Sequence, residues 1–340
     1  MIGGKRLKET TITLCMIVKN EEYTLERCLN SVKNLVDEII IVDTGSDDRT
    51  ISICKMYTQN IYHFKWIFDF SAARNFSISL ARGTWILWLD ADEKLSQTNF
   101  KELKHILATT ENNLFLIPIL NYVGNQINKN NVYQIFQPRI FRKDAEFKFH
   151  NKIHETLNVP LDKYSYGILD AQIKHYGYLE SHVKKKKKYQ RNLEILKEEA
   201  ENSNNNPWIN YHMSSEYYNL QNHKAALDYI NSAILKFISM GIVPPSMAYR
   251  LKYTIILELN DIDNNWSNID YAIFLYPDYV DLYFLKASLL FRVQKYQDAI
   301  NCLKNCLQLG EDNPKYLILK GTGSFRAKNL WKRCLKKLKK

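Results

Sequence analysis

Apolar positions in the first half of the chain fall into short continuous runs that alternate with stretches of helical spacing. Thr11–Val18 (TITLCMIV) and Glu38–Asp43 (EIIIVD) are nearly unbroken apolar segments, the pattern of strands buried on both faces of a parallel sheet. Between them Leu25, Cys28, Leu29, Val32 and Leu35 recur at the spacing of one helix face. The loop Thr44-Gly-Ser-Asp-Asp-Arg-Thr50 offers Ser and Asp caps for a helix running to Met56, and Ile61–Phe64 makes a short third strand. Another helix opens at Ser71-Ala-Ala-Arg74-Asn75 and stops at Arg82-Gly83. The run Thr84-Trp-Ile-Leu-Trp-Leu89 then reads as the central buried strand. Strand and helix alternate throughout, which predicts a doubly wound α/β sheet.

The central strand runs into Asp90-Ala-Asp92-Glu93. Open α/β sheets hold their ligands at the carboxyl ends of strands. Extended backbone points residues i and i+2 the same way, so Asp90 and Asp92 are expected to converge on one hard cation that also takes phosphate oxygens. Such a site would activate a diphosphate leaving group. The plainer reading is that this acidic run caps a helix starting near Ser96.

Beyond it lie an apolar segment, Leu114–Leu120, then Gln137-Pro-Arg139-Ile-Phe-Arg142-Lys143 and Phe147-Lys-Phe-His150-Asn-Lys-Ile-His154-Glu155. From Lys184 to Glu199 the composition turns helical, and Asn202-Ser-Asn-Asn-Asn-Pro207 reads as a linker. The chain then repeats: Leu220–Ile234 aligns with Val293–Leu307 at an offset of 73, near two periods of a 34-residue repeat. Tyr271-Ala272-Ile-x-x-Tyr-Pro277 supplies the end of a degenerate copy between them. This segment resembles a short tetratricopeptide (TPR) array, in which Ala226, Ala233, Ala287 and Ala299 suit places where helices approach closely. The expected domains are 10–180 (catalytic), 181–202 (connecting helix), 203–325 (repeats) and 326–340 (basic tail).

Composition narrows the function classes. At 340 residues the chain has room for two domains, and its 46% hydrophobic content is that of a globular protein. No apolar run reaches the roughly 18–20 residues of a membrane span, and the first residues lack a signal-peptide core, so a cytoplasmic location is expected. The cysteines at 15, 28, 54, 302, 306 and 334 form neither a CxxC pair nor a zinc spacing. The net charge of +11 is uneven: residues 1–180 carry 22 basic against 21 acidic side chains, and residues 181–340 carry 25 against 15. Thirteen basic residues sit in Lys184–Lys188 and the acid-free stretch Arg326–Lys340. Neither cluster is joined to a nucleic-acid motif, so a nucleic-acid partner is not expected and a solvated face is the simpler state of each. Peripheral membrane contact through the tail stays open.

Four motifs, in order and spacing, carry a family resemblance: Met16-Ile-Val-Lys-Asn-Glu21, Ile41-Val-Asp43-Thr-Gly-Ser-x-Asp-x-Thr50, Phe70-Ser-Ala-Ala-Arg74-Asn75 and Trp85–Glu93. The first half of the chain resembles the family-2 glycosyltransferases of GT-A fold. With the repeats behind it, the layout is similar to sublancin-type peptide S-glycosyltransferases, and equally to unassigned bacterial enzymes of the same arrangement. The resemblance implies inverting transfer from a nucleotide sugar, UDP-linked, with a divalent cation (Mn²⁺ or Mg²⁺). It implies that Asp43 faces the nucleotide base, Asp90 the ribose or metal, and Asp92 the metal and diphosphate. Arg74 would lie near the nucleotide sugar, with Asn20 and Glu21 on the pocket floor; a helix-surface pair is the simpler reading of Arg74-Asn75. The family's general base is an acidic residue after the central strand. The common Glu-Asp pair is missing here, and Glu155 is the best match. His175, in Ile173-Lys-His-Tyr-Gly-Tyr178, matches a histidine brought to the metal or diphosphate; His150 and His154 are rivals. Arg142 would steady either phosphate or its own loop. The acceptor stays open between a peptide or protein held by the repeats and a cell-envelope or lipid-linked glycan. From another class, a repeat scaffold with a decayed sugar domain is the alternative.

Overall fold

The computed structural model describes residues 10–339 except 97–98, 125, 160–162, 180–186, 203–205, 260–265 and 267. The chain divides into two compact units, Met1–Tyr122 with Phe136–Tyr178, and Val123–Ile135 with Leu179–Lys340.

The first unit is built on a mixed sheet. Its strands are β1 (Ile12–Val18), β2 (Glu38–Asp43), β3 (Ile61–His63), β4 (Trp85–Trp88), β5 (Glu93–Ser96), β6 (Leu114–Tyr122) and β7 (Val132–Arg142), then, after the separate hairpin of β8 (Phe149–His150) and β9 (Thr156–Leu157), β10 (Tyr166–Ile168) and β11 (Gln172–His175). The order across the sheet is β3-β2-β1-β4-β7-β6-β11-β5. β3, β2, β1 and β4 are mutually parallel, whereas β7 runs antiparallel to β4 and β5 antiparallel to β11. β1 and β2 are the buried runs read from the sequence, with Ile12, Leu14, Met16, Ile40 and Ile41 fully enclosed. After β3 the chain crosses to the other side of β1 to form β4, so β1/β4 is the point where strand order reverses and loops part to make room for a ligand.

Helices α1 (Leu25–Val32), α2 (Thr50–Cys54), α3 (Phe70–Leu80) and α4 (Phe100–Thr109) cover the sheet. α1 buries Leu25, Cys28, Leu29 and Val32, the face its spacing predicts. Asp69 caps α3 through Ala72 N. α4 starts at Phe100 with Asn99 accepting from Lys101 N and Glu102 N; the expected helix start near Ser96 is a strand instead, and Asp90–Glu93 cap no helix. The six cysteines are free and buried.

The second unit is helical: α5 (Lys188–Asn202), α6 (Pro207–Asn219), α7 (His223–Ser239), α8 (Ser246–Leu259), α9 (Ile269–Leu275), α10 (Val280–Arg292), α11 (Tyr296–Leu309) and α12 (Phe325–Leu338). Of the proposed linker, Asn206 caps α6 and Pro207 opens it, while 203–205 lie outside the described residues. Ala226, Ala233, Ala287 and Ala299 are fully buried in one core, as close-packed helix pairs require. Gln221 (φ 61°) and Gln294 (φ 62°) take the same left-handed turn at matching repeat positions. A strand pair ties in the excursion 123–135: β12 (Ile318–Leu319) pairs antiparallel with Gln134 and Tyr133. Next to it the buried Arg250 Nε donates to Asp281 Oδ2 at 3.0 Å, and Asp281 also accepts from Leu319 N and Thr322 Oγ1.

The acid-free stretch expected as a basic tail is largely helical, and its described lysines are exposed to solvent. Residues Phe325–Leu338 form α12, which buries Ala327, Leu330 and Cys334; these three lie at helical spacing, a periodicity that the density of lysines hides. Of the other basic run, Lys184–Lys186 lie outside the described residues. No helix among the described residues is long and apolar enough to cross a membrane.

Candidate active site

Two loops at the carboxyl ends of β1 and β2 are stitched together. Asn20, in the left-handed region at φ 56°, donates its N–H to Ser46 Oγ and accepts from Asp47 N through Oδ1, both at 3.0 Å. Glu21 N donates to Thr50 Oγ1 at 2.7 Å, and Glu21 Oε2 accepts from Thr24 Oγ1 at 2.6 Å. Asp43, buried at the end of β2, receives the N–H groups of Gly45 and Ser46 at 3.1 Å, with His63 Nδ1 3.6 Å from its Oδ2. Gly45 holds φ 104° there, a conformation that side chains resist. The carboxylate thus sets the shape of the Thr44–Asp48 loop.

Arg74 is not a surface residue. It points inward from α3 and is 6% exposed. Its Nε donates to Glu155 Oε1 at 2.6 Å and its Nη2 to Asp90 Oδ1 at 2.7 Å, and its guanidinium lies 4.6 Å from the centre of the Trp88 ring. Burial alone would make the guanidinium easier to deprotonate, but Asp90 and Glu155 outweigh it and bind the proton more tightly. Asn75, beside it, fixes the partner segment. Asn75 Nδ2 donates to Phe149 O at 2.9 Å and Oδ1 accepts from Phe149 N at 2.8 Å, while Phe70 N donates to Lys152 O at 2.8 Å. These bonds clip the β8–β9 hairpin to the start of α3. The left-handed Asn151 and His154 shape its turn, and Glu155 leaves that turn facing Arg74.

The acidic segment differs from the extended geometry expected of it. β4 ends at Trp88, and Glu93 N donates to Asp90 O at 3.0 Å, closing a turn over 90–93. Asp90 and Asp92 therefore do not share one face of a strand; Asp90 meets Arg74 while Asp92 Oδ1 lies 3.5 Å from His175 Nε2. The turn is held by a buried pair: Arg139 donates Nη1 and Nη2 to Glu93 Oε2 and Oε1 at 2.9 and 2.7 Å, and Glu93 Oε2 accepts Asp90 N at 2.9 Å. Arg139 also stacks 3.7 Å from the Trp88 ring centre. Burial pushes the Asp90 carboxyl up, but Arg74 and Arg139 prevail and hold it below the usual carboxylate range. At Glu93 burial wins over Arg139, and its carboxyl is raised.

His175, at the end of β11, is the histidine that reaches the acidic turn; His150 is exposed on β8 and His154 occupies the β8–β9 turn. Asn121 Oδ1 accepts from His175 Nδ1 at 2.7 Å, which turns Nε2 toward Asp92. Gly177 leaves the space between them open: a Cβ there would overlap Asp92 Oδ2 and come within 2.7 Å of His175 Nε2. Among the described residues no three His, Cys, Asp or Glu side chains form a complete metal cage. A carboxylate and an imidazole with an oriented tautomer nevertheless fit the half-set of protein ligands that Mg²⁺ or Mn²⁺ takes when substrate phosphates complete the shell. Arg142 steadies its loop: Nη2 donates to Thr110 O at 2.7 Å and Nε to Asn112 O at 3.1 Å. Asn75, Glu93, Asn121, Arg139 and Gly177 were not read as site residues from the sequence. Their roles depend on partners up to 85 positions away, the span from Gly177 to Asp92, and although Asn75 and Glu93 stand inside the quoted motifs, nothing local shows which partner each meets.

A parallel half-sheet that ends in an acidic turn and a carboxylate-flanked arginine, followed by TPR-like helix pairs, defines the class: a GT-A glycosyltransferase domain with a helical repeat region. Residues 13–158 match the family model described as Glycosyl transferase family 2, and the protein is a glycosyltransferase with a domain of that family. It is similar to the SPbeta prophage-derived glycosyltransferase SunS of Bacillus subtilis, with 28% identity over 337 residues, 95% of this chain and 76% of that one. A TPR repeat-containing protein of Synechococcus elongatus is 37% identical over 175 residues, 49% of this chain and 42% of its own. Among solved structures, S. aureus TarS aligns over 75% of this chain and 54% of its own at 14% identity and a TM-score of 0.37.

Proposed function

We propose that the protein transfers a sugar, with inversion, from a UDP-linked donor to a polypeptide side chain. The observation that carries this reading is the Glu155–Arg74–Asp90 chain, in which a buried arginine joins two half-buried carboxylates. Arg74 pins one oxygen of each carboxylate. Glu155 Oε2 has no hydrogen-bond partner among the described residues and is the atom available to take the acceptor's proton. As the acceptor heteroatom attacks the anomeric carbon, its proton passes to Glu155, the bond from that carbon to the diphosphate oxygen breaks, and the nucleoside diphosphate leaves. Asp90, anchored by Arg74, faces the ribose. Asp43, Asn20 and Glu21 shape the loops that receive the base. Asp92 and His175 would hold a divalent cation, Mn²⁺ or Mg²⁺, which when bound supplies positive charge for the departing diphosphate.

A polypeptide acceptor is favoured by the helical unit, since arrays of paired helices offer extended surfaces suited to extended ligands. A cytoplasmic setting accords with six unpaired, buried thiols. The test is a panel of nucleotide sugars with Mn²⁺ or Mg²⁺ and candidate polypeptides, following nucleoside diphosphate release and sugar mass gain on intact polypeptide. Sugar on a side chain with inverted configuration is the expected product. Absence of turnover with every donor would favour a repeat scaffold instead.

A further inference from the structure

The outer face of α12 carries a stripe of positive charge, and none of its residues belongs to the candidate active site. Its buried side is Ala327, Leu330 and Cys334. Diametrically opposite, at i, i+4, i+8 and i+11, stand Lys328, Lys332, Lys336 and Lys339, all exposed. The stripe is about 16 Å long at the helical rise of 1.5 Å per residue. Lys337 flanks it, and Leu335 and Leu338 are 44% and 49% exposed within the same turns. The arginines of the helix are committed internally: Arg326 donates to Lys320 O and Asn130 O, and Arg333 stacks 4.7 Å from the Phe291 ring centre. None of the five lysines has an acidic partner among the described residues, and the chain carries no acidic residue after Asp312.

A helix that only has to keep the array wetted needs a polar outer face, which mixed charges would supply without self-repulsion. A stripe of one sign asks for an opposite charge. We infer that α12 docks the protein on an anionic membrane surface. The stripe lies on a convex helix face, not in a groove. It uses lysine, a point charge on a flexible stem, where recognition of single carboxylates or phosphates favours the arginine fork. The two exposed leucines beside the charges match the residues that basic amphipathic helices set into the headgroup boundary. These features suit a plane of negative headgroups better than a peptide or a nucleic acid.

The experiment is co-sedimentation of the full-length protein with vesicles rich in phosphatidylglycerol and, separately, with vesicles of phosphatidylcholine alone. Wild type should bind the first and not the second, and should be released at about 0.5 M salt, where charges separated by more than a few ångströms are screened. Each lysine near such a surface contributes about fivefold in partition, so K328Q/K332Q/K336Q/K339Q should lower binding by at least about 100-fold. K328R/K332R/K336R/K339R keeps the charge and should bind as wild type does. Far-ultraviolet circular dichroism and nucleoside diphosphate release, unchanged in both variants, show that the fold and the sugar-transfer site survive. The inference is overturned if wild type ignores anionic vesicles, if it binds phosphatidylcholine equally, or if the glutamine variant binds undiminished. Capture by polyglutamate or RNA without capture by anionic vesicles also overturns it, and would mark the stripe as a site for that polymer.

Discussion

Arg74 holds two carboxylates at once, and most of the chemistry at the residue scale follows from that. If Glu155 takes the acceptor proton, Glu155→Gln keeps the hydrogen bond from Arg74 but removes the base, and kcat should fall about 10²-fold or more with donor affinity nearly unchanged. Asp92→Asn should abolish the dependence of donor binding on added Mn²⁺, read by calorimetry. Unaltered metal-dependent binding would remove Asp92 from the cation's ligands. The pH dependence has a definite sign. Arg74 and Arg139 keep the Asp90 carboxyl depressed against the opposing effect of burial, so its contribution to stability is present above the unfolded value, about 3.9, and is lost as pH falls through the lower folded value. Wild type should therefore lose stability below about pH 4 by this route. Arg74→Met, which leaves two half-buried carboxylates without their shared cation, should instead be destabilised at neutral pH and gain on mild acidification, as denaturant midpoints across pH would show. Asp43, Arg74, Asp90, Asp92, Glu155 and His175 were all legible as candidates, because reactive residues in short motifs are visible locally. The pairing of Arg74 with Glu155, 81 positions away, was not.

At the scale of elements, hydrophobic runs located the parallel strands because they are short, rich in β-branched and aromatic residues and bounded by turn signals, as strands buried on both faces are. The same reasoning failed at Asp90–Asp92. Alternation of side chains applies to extended backbone, and a turn closed by Glu93 N to Asp90 O ends the strand first. What the turn needs is Gly177, on whose missing side chain the approach of Asp92 to His175 depends. Gly177→Ala should thus impair metal-dependent activity while leaving the melting temperature within a few degrees, and equal activity in the two proteins would show that the gap is not used. In the helical unit, Gln294 occupies a left-handed position that costs a side chain about 1 kcal/mol or more. Gln294→Gly should stabilise that unit by about 0.5–1 kcal/mol, measurable by urea unfolding.

The whole molecule is less separable than its sequence suggests. The change in pattern leads one to expect a boundary near residue 180, whereas the excursion Val123–Ile135, apolar and polar in no telling order, belongs with the helical unit. Tyr133 and Gln134 pair with β12, and Lys320 N donates to Val132 O at 2.9 Å. Deleting residues 203–340 would leave this excursion without its strand partner, so a truncated chain should be aggregation-prone. Substitutions within the intact chain are the sound way to separate catalysis from presentation. The charge asymmetry, evident from composition, acquired meaning only with the periodicity of α12, which sets its lysines on one side.

In the proposed reaction the carboxylate on the far side of Arg74 from Asp90 takes the proton of a hydroxyl acceptor during sugar transfer. It is tested most directly by the single-turnover rate of transfer from a saturating UDP-sugar, wild type against Glu155→Gln, with donor affinity measured in parallel. The rate for Glu155→Gln should be at least about 10²-fold lower at unchanged donor affinity. A Glu155→Gln enzyme that transfers sugar to a hydroxyl at the wild-type rate would contradict it.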